Sequence, residues 1–157
     1  MKKNSMIKIL FVCHGNICRS AMAKYMMRQI VTDARLEDKF YIDSAATSTE
    51  EIGEPVYPPA RRKLAEYGIS CEDHSARQIT RSDYDRFDMI ILMDQNNMRN
   101  IKRIIHDDPD SKISMMMDYT NRPGEVADPW YTGNFDATWN DLDEGCHGLL
   151  ESISSMW

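Results

Sequence analysis

The chain predicts an α/β fold, a four-stranded parallel sheet with helices on both faces. Four short apolar runs containing β-branched residues are separated by segments whose apolar positions recur at helical spacing. That alternation is the pattern of strand–helix–strand units, which set parallel strands side by side under helices. The first run is almost continuously apolar rather than alternating, as expected of a strand covered on both faces. The 157 residues show no internal repeat, no low-complexity tract and no second domain, so residues 1–157 read as one domain. A chain of that length buries a core without disulfide or metal staples.

Met6–Val12 is the first strand, interrupted only by Lys8. After the segment Cys13–Ser20 a helix is predicted from Ala21 to about Thr32, with Met22, Tyr25, Met26 and Ile30 at helical spacing. Phe40–Ala45 is the second strand. Pro55, Pro58 and Pro59 mark a loop, and Pro59 opens a helix that Leu64 and Tyr67 continue and Gly68 ends. Met89–Met93 is the third strand, Asp94 caps a helix running to about Ile105, and Ile113–Met117 is the fourth strand. Asp118–Asn134 reads as loop and Ala137–Ile153 as a closing amphipathic helix. The twelve methionines read as core fillers.

A net charge of −6 argues against nucleic acid or an anionic membrane as partner, since both favour basic surfaces. No run approaches the roughly 20 apolar residues of a membrane span. Met1–Met6 is short and polar, too brief for a secretion signal, so a cytoplasmic protein is expected. Cys13, Cys18, Cys71 and Cys146 have neither Cys-x-x-Cys nor zinc spacing, and Asp107, Asp108 and Asp110 lack calcium-loop spacing. No metal or cofactor is therefore expected. In a reducing compartment such cysteines serve packing or chemistry.

The chemistry concentrates in Cys13-His14-Gly15-Asn16-Ile17-Cys18-Arg19-Ser20. The segment leaves the carboxyl end of a strand, where ligands bind in parallel sheets, and runs straight into a helix N-terminus. Amides left unpaired there, with the helix dipole behind them, bind anions. Gly15 lets the chain curl so that successive amides converge on one oxyanion. Cysteines in such fields are reactive as thiolates. Arg19 adds a planar fork able to hold two phosphate oxygens. The Cys-x5-Arg spacing is weak alone; the strand before it, the glycine within it and the helix after it make it a phosphate cradle.

Val12–Ser20 closely resembles the signature loop of the low-molecular-weight protein tyrosine phosphatases. The likeness extends to Asp43–Ser48, His74–Ile79, Phe87–Asp94 and Asp128-Pro129-Trp130-Tyr131. It implies a flavodoxin-like sheet and hydrolysis of phosphotyrosine and small aryl phosphates through a phosphocysteine, with tyrosine-phosphorylated proteins as substrates. By resemblance, Cys13 is the nucleophile, Arg19 clamps phosphate with the loop His14, Gly15, Asn16, Ile17 and Cys18, and Asp128 is the general acid. Asn16, Ser20, Ser44 and His74 correspond to the network that braces the loop, and Trp130 and Tyr131 to the substrate cleft. Cys18 reads either as a packing residue or as the thiol that traps oxidised Cys13.

Three positions depart from the family. Ala21 replaces a usual proline, Lys24 a common glutamate, and Glu50 an aromatic wall of the cleft. The first two, on the first helix, are expected to bear on helix-start stability rather than chemistry; Glu50 bears on substrate preference. Two related activities compete. Phosphoarginine phosphatases tend to carry threonine where Ile17 stands, and arsenate reductases need two further cysteines after the third helix, where Thr80–Ile105 has none. A non-catalytic phosphate-binding module would have lost Cys13, Arg19 or Asp128, and all three are present.

Overall fold

The computed structural model describes residues 6–157; residues 1–5, read above as part of a segment too short for a secretion signal, lie outside them. Four parallel strands, β1 (Ile7–Cys13), β2 (Phe40–Ala46), β3 (Met89–Leu92) and β4 (Ile113–Met115), pair in the order β2-β1-β3-β4. In β1, Ile9 and Phe11 face one core while Leu10 and Val12 face the other, and all four are fully buried. Both faces are therefore covered, as the nearly continuous apolar run requires.

Helices α1 (Arg19–Asp33), α2 (Pro58–Glu66), α3 (Arg81–Arg86), α4 (Gln95–Ile101), α5 (Pro129–Thr132) and α6 (Phe135–Ser154) connect and flank the strands. α1 and α6 pack on one face, and α3 and α4 line the other through Tyr84 and Ile101. α6 buries Trp139, Leu142, Cys146, Leu149 and Ile153, one stripe at helical spacing. Its Gly148 lies so close to Tyr119 that an added Cβ would stand 1.9 Å from that carbonyl oxygen. Gly68, at φ +70°, ends α2 as expected, and the Ile69 amide reaches back to Leu64 O at 3.0 Å.

Several boundaries differ from the sequence expectation for local reasons. α1 begins at Arg19, two residues early, so the last residues of the phosphate motif are already helical. α4 stops at Ile101, where the Arg103 and Ile104 amides take up tighter bonds to Asn100 O (3.2 Å) and Ile101 O (3.0 Å). β4 ends at Met115, where the Asp118 carboxylate accepts the Met115 amide and starts a 3-10 turn, Met116–Tyr119. The stretch read as loop also contains α5, a single turn opened by Pro129 and capped by Asp128. α3 has no counterpart in the sequence reading; only its cap, Thr80 with Asp83, marks it.

Asp83 is fully buried and accepts two bonds from the Arg77 fork, at 2.9 and 3.2 Å, and one from the Thr80 amide at 2.8 Å. Burial alone would raise its pKa, but these donors outweigh burial and hold the carboxyl below its usual range. A depressed carboxyl stabilises the fold above the unfolded value near 4 and ceases to as pH falls through the folded value. Asp83→Asn, which weakens hydrogen bonds from a half-buried Arg77, is expected to cost about 2 kcal/mol in denaturant unfolding at pH 7. The gap from wild type should close below about pH 4; a gap constant to pH 3 would deny the ion pair that role.

Candidate active site

In the order β2-β1-β3-β4 the chain leaves β1 toward β2 on one side and reaches β3 on the other, so a crevice opens beyond the carboxyl ends of β1 and β3. Cys13 ends β1, and Asp94 stands two residues past the end of β3. Between Cys13 and α1 the loop turns sharply at Asn16, whose φ of +61° is left-handed.

The loop carbonyls are all but one bonded on the outside. Cys13 O accepts the Thr47 amide (2.9 Å), His14 O the Ser48 amide (3.1 Å), Ile17 O the Tyr57 amide (2.9 Å) and Cys18 O the Met22 amide (2.8 Å). Asn16 O is bonded by His74 Nε2 at 2.7 Å. In a planar trans peptide the N–H points opposite to the C=O, so these five bonds turn the amides of His14, Gly15, Ile17, Cys18 and Arg19 inward. Those five amides have no partner among the described residues. The other two, of Asn16 and Ser20, each point at Cys13 Sγ from 3.4 Å. Seven inward donors around one sulfur form an anion nest at the start of a helix.

Side chains hold that curl in place. Asn16 Nδ2 donates to Ser20 Oγ (2.8 Å) and Ser44 Oγ (2.9 Å), and its Oδ1 accepts the Arg77 amide (3.2 Å). Ser20 Oγ stands 3.0 Å from Cys13 Sγ. Asn16, Ser20, Ser44 and His74 are therefore one buried cluster behind the loop.

Arg19 is 2% exposed. Its Nη1 donates to Asp94 Oδ2 (2.7 Å) and Val126 O (3.1 Å), and its Nη2 to Asp128 Oδ2 (3.3 Å). Burial opposes its charge, but Cys13, Asp128 and Asp94 more than offset burial and hold the guanidinium above its usual range. Asp128 is also the cap of α5, with Oδ1 accepting the Trp130 amide at 3.1 Å. For Cys18, burial and then Cys13 and Asp128 push the thiol far above its ordinary range.

Cys13, His14, Gly15, Ile17, Cys18 and Arg19 floor the cleft, and Glu50, Glu51, Asp128, Trp130 and Tyr131 rim it. Trp130 leans on Tyr57 with ring centroids 4.9 Å apart, while Tyr131 is 85% exposed. Glu50 lines the rim and pairs with His14 Nε2. Every site residue expected from sequence thus lies in the cleft or directly behind it. Sequence reading missed Asp94 as a partner of Arg19, though its place after a strand's carboxyl end was a signal. It also missed Glu51, Tyr57 and Arg77, for which no local signal exists. Lys24 corrects an expectation. It is 5% exposed, and its Nζ lies 2.7 Å from Nδ1 of the loop-bracing His74, so it bears on the site and not only on the helix start.

A family model described as low molecular weight phosphotyrosine protein phosphatase matches residues 8–156. The chain belongs to that family. The low molecular weight protein-tyrosine-phosphatase YfkJ of Bacillus subtilis (strain 168) is 39% identical over 150 residues, covering 94% of this chain and 96% of the relative. Its crystal structure superposes with a TM-score of 0.94 over 99% of both chains, at 38% identity. The phosphatase of Gallus gallus is 38% identical over 148 residues, covering 91% and 93%. A Drosophila arginine phosphatase, DARP, shares the fold at a TM-score of 0.85 and 28% identity, over 94% of this chain and 98% of its own. The flavodoxin-like architecture implied by the signature loop is thus that of this family. Among the described residues no helix is long and apolar enough to cross a membrane.

Proposed function

We propose that the chain hydrolyses phosphotyrosine and small aryl phosphates through a phosphocysteine on Cys13. The observation that carries this reading is the loop itself, with five amides that have no partner among the described residues and a buried arginine arranged around one sulfur. The Cys13 thiolate attacks phosphorus in line; an S–P bond forms and the P–O bond to the phenol breaks. Asp128 gives its proton to the departing phenolate, then takes one from the water that attacks phosphorus, releasing phosphate and thiolate. Arg19 and the amides stabilise the equatorial oxygens, so catalysis is positioning and electrostatics. Asp94 holds Arg19 from behind while Nη2, now on Asp128, turns to the phosphoryl group. That exchange frees Asp128 Oδ2 for the leaving oxygen.

Ile17 in the floor and Trp130 on the rim favour an aromatic leaving group. Glu50 and Glu51 favour basic residues beside the phosphotyrosine, an effect that salt weakens. Cys18, whose thiol burial and then Cys13 and Asp128 push upward, is the partner for oxidised Cys13, condensing with its sulfenic acid to a disulfide with release of water. In thiol-containing buffer, basic and acidic phosphotyrosine peptides, phosphoarginine and arsenate should be assayed in parallel, with and without EDTA. Phosphotyrosine is expected to have the highest kcat/KM, unchanged by chelator, with basic peptides ahead at low salt. Higher kcat/KM for phosphoarginine, or arsenate reduction, would overturn the reading.

A further inference from the structure

Asn16 O is a carbonyl and only accepts, so the 2.7 Å bond to His74 Nε2 requires a proton on Nε2. The other ring nitrogen, Nδ1, lies 2.7 Å from Lys24 Nζ. An ammonium only donates, so beside a protonated Lys24 the Nδ1 atom must be the acceptor and His74 must be neutral. Imidazolium and ammonium at that separation would set two cations against each other in a buried place; Lys24 and His74 are each 5% exposed. A glutamate, the family's common residue here, would impose the opposite state, since a carboxylate accepts and draws a proton onto Nδ1.

We propose that Lys24 is a positioning residue for the phosphate loop: it fixes His74 as the neutral Nε2–H tautomer, whose bond to Asn16 O aims the Ile17 amide into the anion nest. The chain of contacts is Lys24 on α1, His74 in the segment after α2, and the Asn16–Ile17 peptide, whose N–H points opposite to the bonded carbonyl. The left-handed Asn16 backbone is a sparsely populated conformation and is held by such bracing. The charged groups facing the pair are Arg28 on α1, Asp43 on β2, and Asp73 and Arg77 in the segment 71–79. Burial and then Arg28 push Lys24 down to about 8, and burial and then Lys24 push His74 down to about 4. Between those values the pair carries one proton on Lys24 beyond the Nε2–H, so the tautomer is constant through neutral pH.

This inference deepens the phosphatase reading and rests on it, but its test needs no turnover. Long-range ¹H–¹⁵N spectra of the full chain report the protonation of each ring nitrogen, and titration with inorganic phosphate reports the nest. Wild type is expected to show His74 protonated on Nε2 alone from about pH 5 to 7.5. Lys24→Met is expected to lose that fixed tautomer and bind phosphate about fivefold to tenfold more weakly, with its melting temperature preserved. Lys24→Glu is expected to convert His74 to the doubly protonated form and return phosphate affinity to within about threefold of wild type. A proton on Nδ1 of wild-type His74 at pH 7 would overturn the proposal. So would phosphate affinity within twofold of wild type in Lys24→Met, or a neutral His74 in Lys24→Glu. Failure to hydrolyse phosphotyrosine would overturn the phosphatase reading alone and leave these readouts standing.

Discussion

Cys13→Ser is expected to abolish hydrolysis while inorganic phosphate binds as tightly as before or more so. The nest is built from amides whose carbonyls are fixed by Thr47, Ser48, His74, Tyr57 and Met22, and none of those bonds involves the Cys13 side chain. A serine oxygen can take the place of Sγ beside Ser20 Oγ and the Asn16 and Ser20 amides. It does not ionise near pH 7, so the nucleophile is lost and the anion site is kept. Serine also cannot carry the negative charge that the proposed thiolate nucleophile would set against a bound dianion. The rate loss should be on the order of 10⁴-fold or more, as for other enzymes stripped of a covalent nucleophile. Turnover of an aryl phosphate and calorimetric titration with phosphate check the two halves separately. Activity within tenfold of wild type would exclude Cys13 as nucleophile.

Asp128→Asn is expected to slow esters with poor leaving groups by about 10²–10⁴-fold and those with good ones far less. A phenolate of low basicity departs without a proton, whereas a tyrosyl oxygen needs one. The substitution is structurally mild: asparagine caps a helix as well as aspartate, so the bond from the Trp130 amide that starts α5 persists. Arg19 loses one carboxylate at 3.3 Å but keeps the closer Asp94 at 2.7 Å and the Val126 carbonyl. A kcat/KM series over phenyl phosphates of graded leaving-group basicity measures the effect. An equal loss across the series would mean that Asp128 acts through Arg19 rather than by proton transfer.

Much of this protein was legible residue by residue. β1 and the phosphate loop are contiguous, so a buried strand, a glycine, a cysteine and an arginine before a helix announce an anion nest without knowledge of any distant partner. α6 was equally plain, because twenty residues carry a clear apolar stripe. α3 and α5 were not, since six and four residues are too few for a period to register. Asp128 could be tied to the site only through resemblance to known phosphatases; by its own sequence it is an Asp-Pro turn.

The partners of the loop belong to another level. Asp94 meets Arg19 across 75 positions, and His74 meets Asn16 across 58. Those meetings depend on the order β2-β1-β3-β4, which brings the carboxyl ends of β1 and β3 to one crevice. Periodicity tells which face of an element is apolar and not which element will cover it. Lys24 shows the consequence: within α1 it reads as an ordinary helical cation. Only the burial of that helix, and the arrival of His74 against it, set Lys24 beside the side chain that holds the Asn16 carbonyl, because hydrogen-bond roles are assigned by the partner that packing supplies.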